Sequence, residues 1–355
     1  MHTERAAHES ERERGHTAPP IAASAYTVRA ATAADRPEIE ALIAEMIPGC
    51  DVAARWRWLY EDNPGGPALT WLAVAPAGEI AGCTSFFPFR LWLDGQEVRA
   101  ALGGDGYVRP RFRRRGLGGL MHDASRAAMH EHGIGCMYGA PGAMNVTPLK
   151  HGGSREIGHV SRWARPLGGR ALGITAPLLD RAIAAALRPR RAAALEPLAP
   201  HDPRVDAVWA AARQELPLAA VRDAAFYTWR FLEVPGRAAE PYVIVSGGRP
   251  IGVCALEPMA EGAAMLITDL VTVPGAWHAG LRAIARFCAD TTDAASLHIK
   301  LMTRDGRRRR MWRAGFDERE HKPFLCMIPP GGDRRFLDPE RWFYTGADSD
   351  RERQD

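Results

Sequence analysis

The sequence has no long apolar run. A helix that crosses a bilayer needs roughly 18 to 20 consecutive apolar residues, and no run in this chain of 355 residues approaches that length. The first 24 residues, rich in His, Glu, Arg, Ala and Pro, also have no apolar stretch like the core of a secretion signal. We therefore expect residues 1–24 to form a disordered tail, in a cytoplasmic protein that does not bind membranes.

Cysteine is scarce and scattered. The six cysteines form no Cys-x-x-Cys pair, and some of them stand within apolar runs such as Ile80-Ala-Gly-Cys83 and Ile251-Gly-Val-Cys254. This pattern indicates buried free thiols in a reducing compartment. It favours neither a disulfide framework nor a metal site.

A strong excess of charge is absent as well. The 46 lysines and arginines nearly balance the 42 acidic residues, which leaves a formal net charge of +4. Charge alone therefore gives no reason to expect nucleic acid as a partner. We expect a monomer or a homodimer, and the high Ala and Arg content is typical of a GC-rich bacterial genome.

An internal repeat indicates a duplication. Residues 58–83 and residues 229–254 match without a gap at an offset of 171. A Trp, a Pro-Gly pair, an aromatic residue, a Val, an Ile and a Cys recur at the same spacing. Each copy predicts a short aromatic helix end, a Pro-Gly turn and two strands joined by a Gly-containing hairpin. Since the chain is also too long for one typical core, we expect two domains of roughly 150 residues with a shared fold.

Residues 106–121 carry most of the functional information. A strand ends at Val108, Pro110 breaks it, and a loop with three consecutive arginines opens into a helix predicted from Gly116 to His132. This order aims backbone N–H groups and the positive end of a helix dipole at one point, which suits a pyrophosphate. The Walker pattern GxxxxGK(S/T) and the dinucleotide pattern GxGxxG are both missing here.

Val108-x-Pro110 followed by Arg113-x-x-Gly116-x-Gly118 resembles the signature of the GCN5-related N-acetyltransferase (GNAT) superfamily. The elements before the signature and the strand after it also follow the GNAT order, so the resemblance covers roughly residues 25–160. It implies an α+β fold, an α/β/α sandwich. Two GNAT-like domains would each have a mixed, mostly antiparallel twisted sheet flanked by helices.

The expected organisation has four parts after the tail. A GNAT domain with the acyl-CoA site spans residues 25–165, and a connector rich in Arg, Ala, Leu and Pro spans residues 166–200. A second GNAT-like domain follows at residues 201–330. Residues 331–355 form a polar C-terminal tail that holds the aromatic cluster Trp342-Phe343-Tyr344.

The resemblance implies acetyl-CoA, or another short acyl-CoA, as co-substrate. In GNAT enzymes the strand before the loop pairs with the pantetheine arm, which implies contacts at Tyr107 and Val108. The strand Gly135–Ala140 would form the other wall of that gap, and Asn145 would either hydrogen-bond the arm or cap a helix. The loop amides of GNAT enzymes bind the pyrophosphate, which implies contacts at Arg113, Arg114, Arg115, Gly116, Leu117, Gly118 and Gly119.

Direct transfer from a thioester needs no covalent intermediate. The enzyme aligns an amine, removes its proton and polarises the carbonyl with a backbone N–H. Asp105, on the strand that leads to Val108, is the first choice for the base. Glu61 or Asp62 is the alternative, and a purely structural Asp105 in a Gly-Gly-Asp-Gly bulge is a third interpretation. Many GNAT enzymes also have a tyrosine acid four residues before a Gly-Phe pair, but Leu149 stands at that position here.

The second copy lacks the phosphate cradle. Val273-Pro274 recurs, but Gly275-Ala-Trp277-His278-Ala-Gly280 replaces the Arg-x-x-Gly-x-Gly pattern, and Met311 occupies the tyrosine position. This implies a degenerate domain that has lost CoA binding and walls the acceptor pocket. The run Arg307–Arg310 is interpreted as a solvated helix face, with contact to an acidic substrate as the alternative. The segment Asp348-Ser-Asp350 is an alternative contributor to the active site.

Together these features predict an acyl-CoA-dependent N-acyltransferase that moves a small acyl group, acetyl first of all, to the amine of a small molecule. Two alternatives stay open. One is an aminoacyl-tRNA-dependent transferase, although such enzymes generally lack the pyrophosphate motif in their first domain. The other is a CoA-binding protein without turnover, which the missing tyrosine favours.

Overall fold

The computed structural model describes residues 25–189, 193–259, 262–302 and 305–349. The tail predicted at residues 1–24 lies outside the described residues, as does Asp350. Among the residues that are described, no helix is long and apolar enough to span a membrane.

Fourteen strands and nine α-helices run through the described part of the chain. The strands are β1 (Thr27–Ala30), β2 (Leu69–Val74), β3 (Ile80–Leu93), β4 (Gln96–Val108), β5 (Met137–Gly139), β6 (Arg155–Pro166), β7 (Ala194–Pro197), β8 (Leu218–Ala220), β9 (Glu240–Ser246), β10 (Arg249–Met259), β11 (Ala264–Thr272), β12 (Ser296–Met302), β13 (Asp317–Met327) and β14 (Trp342–Phe343). The helices are α1 (Arg36–Met46), α2 (Val52–Arg55), α3 (Leu117–Ala128), α4 (Ala143–His151), α5 (Pro177–Leu187), α6 (Pro203–Ala212), α7 (Ala224–Tyr227), α8 (Trp277–Thr291) and α9 (Asp305–Arg313).

The strands form one mixed, mostly antiparallel sheet, in which twelve of them follow the order β1-β2-β3-β4-β5-β13-β6-β12-β11-β10-β9-β7. The two short strands β8 and β14 lie off this path: β8 pairs with β3 and with β14. The series β1 to β5 from the first half is mirrored by β7, β9, β10, β11 and β12 from the second half. In each series only the last neighbours, β4 with β5 and β11 with β12, run parallel. The predicted α+β class with a repeated, mostly antiparallel sheet is confirmed.

The two halves exchange their last strands at the centre of the sheet. β13 from the end of the second half lies between β5 and β6 of the first half, and β6 lies between β13 and β12. Neither half therefore completes its own sheet. The domain boundary predicted at residue 165 falls within β6, and the predicted connector at residues 166–200 contains α5 and the edge strand β7.

Local sequence signals locate most elements of the first half. The predicted turn Asp94-Gly95 joins β3 and β4, and both of its residues have positive φ, 46° and 96°, as a tight hairpin turn between twisted strands requires. The helix predicted from Gly116 to His132 is observed as the shorter α3. The cysteines are free, and five of the six are buried as predicted.

The repeat places two π-helical segments at corresponding points of the two halves. Helix α2 continues into Trp56–Glu61, and α7 continues into Thr228–Leu232. The indoles of Trp58 and Trp229, 171 residues apart, stack with ring centroids 5.1 Å apart and an interplanar angle of 19°. Both rings are buried in one hydrophobic core that is shared by the two halves.

Candidate functional site

The free side of β4 borders the candidate site. β4 and β5 share a single register pair, Ala101 with Met137. From Leu102 to Val108, β4 is paired among the described strands only with β3, on its other side. The peptide groups along this side are therefore available to an extended ligand that carries amides. We call the space between β4 and β5 beyond Ala101 the first gap; Tyr107 and Val108, the residues predicted to meet a pantetheine arm, lie on its β4 side.

The loop after β4 leaves the start of α3 open. Gly116 precedes the helix with a left-handed φ of 74° and makes no side-chain cap, so the first N–H groups of α3 have no intrahelical acceptor. Gly118 and Gly119 are exposed, and a Cβ at either would meet no protein atom within 4 Å. Packing within the protein does not require glycine there, whereas the close approach of an anion to the backbone would. The residues present therefore fit a pyrophosphate.

The three consecutive arginines have different surroundings. Arg113 donates from Nε to the Val108 carbonyl at 3.0 Å, and its guanidinium lies 5.7 Å from the centre of the Tyr107 ring. Arg115 donates to the Tyr26 hydroxyl at 2.7 Å. Arg114 has a positive φ of 61°, is exposed and has no side-chain partner among the described residues. Arg113 and Arg115 therefore hold the loop, whereas the Arg114 side chain extends into solvent.

Leu117 and Asn145 have surroundings that differ from the other predicted contact residues. The side chain of Leu117 is buried and packs with Met121 in the core between α3 and the sheet, so only its backbone N–H can face a phosphate. Asn145 is exposed in the first turn of α4, and its N–H donates to the carbonyl of Gly142, the residue that caps this helix. The helix-cap interpretation of Asn145 is therefore wrong, and a contact with the arm stays a prediction.

Asp105 sits in a bulge of β4 and faces the core. The register against β3 shifts between Cys83 and Ser85, and Asp105 has a left-handed φ of 46°. Its carboxylate accepts from Arg55 Nη2 at 2.7 Å and from the Tyr60 hydroxyl at 2.8 Å. Only 3% of its side chain is exposed. A base needs a free lone pair that the amine can reach, so these contacts fit the structural interpretation better.

The same arrangement recurs in the second half. Asp269 on β11 accepts from Arg222 Nε at 2.9 Å and from the Tyr227 hydroxyl at 2.9 Å. Burial and the nearby carboxylate raise the pKa of Tyr227 well above its usual value, as they do for Tyr60. Both hydroxyls are therefore protonated donors. A set of contacts that both halves share is part of the fold rather than a device for catalysis in one of them.

Glu61 and Asp62 lie at the end of the first π-helical segment, and both are exposed. Glu61 accepts from Trp56 Nε1 at 2.8 Å and pairs with Arg36 at 2.9 Å. The preceding residue is Tyr60, whose hydroxyl reaches Asp105. Both alternative carboxylates are thus open to solvent, in contrast to Asp105.

The corresponding gap in the second half is filled by the chain itself. β11 and β12 pair from Ala264–Ser296 to Ile267–Ile299 and then separate. The N–H of Ala347 donates to the Thr268 carbonyl at 3.0 Å, and the N–H of Met302 donates to the Tyr344 carbonyl at 3.1 Å. Residues 344–347 therefore bond to both walls of this second gap, where an extended ligand would otherwise lie. The local sequence gave no sign of this, since residues 331–355 were expected to form a polar tail.

Asp348 closes this C-terminal segment. It is buried and accepts from Arg222 Nη2 at 2.6 Å and from the Thr345 N–H at 2.9 Å. Burial raises its pKa above the usual value. Asp348 therefore belongs to the polar cluster around Asp269 in the second half, and its carboxylate also raises the pKa of Tyr138 on β5.

Tyr138 on β5 is a polar residue that the sequence reasoning missed. It follows Met137, the last residue paired with β4, and it is buried against Trp342 with ring centroids 4.8 Å apart. Its hydroxyl has no hydrogen-bond partner among the described residues. Burial and the nearby Asp348 carboxylate raise its pKa well above the usual value, so the phenol keeps its proton. A buried donor without an acceptor is costly and calls for a functional or solvent partner.

Comparison with known proteins bears on this architecture. No family model matches the sequence, and a search of curated protein sequences gives no match. Solved structures do match. A GCN5-related N-acetyltransferase from Anabaena variabilis superposes with a TM-score of 0.62 at 16% identity, over 85% of this chain and 72% of that one.

Two further structures have the same fold. A probable N-acyltransferase of unknown function from Enterococcus faecalis gives a TM-score of 0.64 at 11% identity, over 85% of this chain and 72% of that one. N-myristoyltransferase from Saccharomyces cerevisiae with bound myristoyl-CoA gives a TM-score of 0.54 at 12% identity, over 88% of this chain and 85% of that one. At these identities the likeness shows the fold: the chain has the GNAT fold in a tandem arrangement.

Proposed function

We propose that the protein is an acyl-CoA-dependent N-acyltransferase that moves a short acyl group, acetyl first of all, to the amine of a small molecule. One observation carries the proposal. The first half keeps an open gap beside an uncapped helix start, while the corresponding second gap is occupied by residues 344–347. This difference between the halves supports a single site for an extended anionic ligand, in the first half.

The acyl donor would lie along the free side of β4. The N–H groups at the start of α3, from Gly116 to Gly119, would bind the pyrophosphate, with Arg114 as the added cation. Peptide groups between Leu102 and Val108 would pair with the amides of the pantetheine arm. The thioester supplies the activated acyl group, so the protein's task is alignment and proton transfer.

Leu149 stands where many GNAT enzymes have a tyrosine that acts as an acid. Tyr138 is our choice for the hydrogen-bond donor that replaces this tyrosine. Its phenol is protonated and without a partner among the described residues, and the residue follows the last register pair of β4 and β5. It would stabilise developing charge on the departing sulfur or the acyl oxygen of a donor whose acyl end reaches this buried hydroxyl. Proton removal from the amine would fall to Glu61, Asp62 or water, and Asp105 would hold the bulge that shapes β4.

The direct test is turnover with acetyl-CoA and a panel of amines that includes amino acids, amino sugars and polyamines. We expect at least one amine to raise thiol release above the rate without amine, with an N-acetylated product of the corresponding mass. CoA binding without thiol release for any amine would favour the CoA-binding protein without turnover. Transfer from aminoacyl-tRNA but not from acetyl-CoA would favour the other alternative.

A further inference from the structure

A cavity remains beside the filled second gap, and the proposed function does not use it. Its volume is about 330 Å³, which is in the range of small-molecule sites. It lies between the end of β11, the first turn of α8 and helix α9. Its lining includes Trp277, His278, Arg307, Arg310 and Phe343. Because β11 and α8 correspond to β4 and α3, the cavity holds the place that the phosphate cradle holds in the first half.

Among the charged side chains that line the cavity, two arginines outnumber one carboxylate. Arg310 is exposed and has no side-chain partner among the described residues. The indole nitrogen of Trp277 is buried and also lacks a partner there. Among the lining residues the one carboxylate is Glu215, which is exposed. A surplus of donors with one acid favours a ligand that brings acceptors.

Arg307 forms a fixed wall of the cavity. The sequence favoured a solvated helix face for Arg307–Arg310, but Arg307 is buried and donates to the Met302 carbonyl at 3.0 Å. Its guanidinium lies 5.0 Å from the centre of the Phe343 ring. Arg308 is held by Glu318 at 2.6 Å. Of the run, Arg310 is therefore the arginine that lines the cavity with an unpaired guanidinium.

The start of α8 adds backbone donors. The residue before the helix, Ala276, makes no side-chain cap. The N–H groups of the first turn therefore have no intrahelical acceptor, and the helix dipole favours negative charge at this end. Together with the exposed guanidinium of Arg310, they form a donor set for an oxyanion.

We propose that this cavity binds a small molecule through an oxyanion, phosphate or carboxylate, with the apolar part of the ligand against Phe343, Leu216 and Val273. CoA itself is not the occupant. Its pantetheine arm would need the strand edges of the second gap, and residues 344–347 already bond to them. The site is thus separate from the first gap and binds a shorter anion.

A spectroscopic readout at Trp277 tests this without any assay of turnover. The protein is labelled with 5-fluorotryptophan, and Trp277→Phe assigns the relevant resonance among the ten tryptophans. Fluorine NMR then follows titrations with inorganic pyrophosphate and, separately, with succinate at constant ionic strength. We expect a saturable shift of the Trp277 resonance with at least one probe. A response to pyrophosphate alone identifies the group as phosphate, and a response to succinate alone identifies it as carboxylate.

Arg310→Ala and Arg309→Ala form a matched pair, since both arginines are exposed on α9 and only Arg310 lines the cavity. Arg310→Ala should weaken binding about tenfold or more, the effect of losing a charge-assisted contact. Arg309→Ala should leave it unchanged. The other tryptophan resonances report whether each variant is folded. No shift at Trp277 with either probe, or equal effects of the two substitutions, would overturn the proposal.

Discussion

Trp58 and Trp229 exchange hydrogen bonds across the two halves of the protein. The Nε1 of Trp58 donates to the Trp229 carbonyl at 2.9 Å, and the Nε1 of Trp229 donates to the Trp58 carbonyl at 2.7 Å. The two residues stand 171 positions apart, at equivalent points of the repeat. A reciprocal contact between equivalent residues is what a two-fold relationship between duplicated halves produces. The two equivalent tryptophans thus join the two halves in their shared core.

Substitution of this pair should destabilise the whole chain. Trp58→Phe and Trp229→Phe each leave a buried carbonyl without its donor, and each should lower the free energy of unfolding by about 1–3 kcal/mol. The double variant should lose less than the sum, because the two residues form one interacting unit. Urea unfolding measures the free energy of unfolding of all three variants. Trp312→Phe is the control, since the side chain of Trp312 is exposed. Strictly additive losses in the double variant would contradict the coupling.

Asp105→Asn separates positioning from proton transfer. Loss of one partner from a buried ion pair should cost about 3–5 kcal/mol, and Asp269→Asn should cost a similar amount in the second half. We expect the kcat of folded Asp105→Asn protein to stay within about tenfold of wild type. A fall in kcat of roughly 100-fold or more would instead identify Asp105 as the base, if Asp105→Asn and Asp269→Asn lose the same free energy of unfolding.

Tyr138→Phe tests the proposed donor. Because the hydroxyl has no partner among the described residues, its removal should leave the free energy of unfolding unchanged or slightly raised. The kcat for acyl transfer should fall by about 10-fold to 100-fold if the phenol stabilises charge in the transition state. Unfolding curves and initial rates on the same preparation give both quantities. A lower stability with a normal kcat would assign Tyr138 a purely structural role.

Much of the fold could be predicted from the sequence because its signals are local or repeated. The turn Asp94-Gly95, the break at Pro110 and the glycines that open α3 each act within a few residues. The match between residues 58–83 and 229–254 predicts that the two halves share one fold. The Arg-x-x-Gly-x-Gly pattern predicts a phosphate cradle for the same reason, since the geometry of such a cradle is that of one loop.

The exchange of β6 and β13 and the filling of the second gap could not be predicted in this way. Both depend on pairing between strands far apart in the chain, which leaves no periodicity of its own. The contacts of Asp105 and Asp348 could not be predicted for a related reason. Their partners, Arg55 and Arg222, are remote in sequence, so neither ion pair is visible as a motif.

We propose that the chain has one open acyl-CoA site, in the first half. Isothermal titration with CoA tests it most directly. We predict one CoA bound per chain for the wild type, none for Gly118→Trp, whose indole would fill the cradle, and one for Ala127→Trp, an exposed position on the same helix. Two molecules bound per chain, or undiminished binding by Gly118→Trp, would contradict the account.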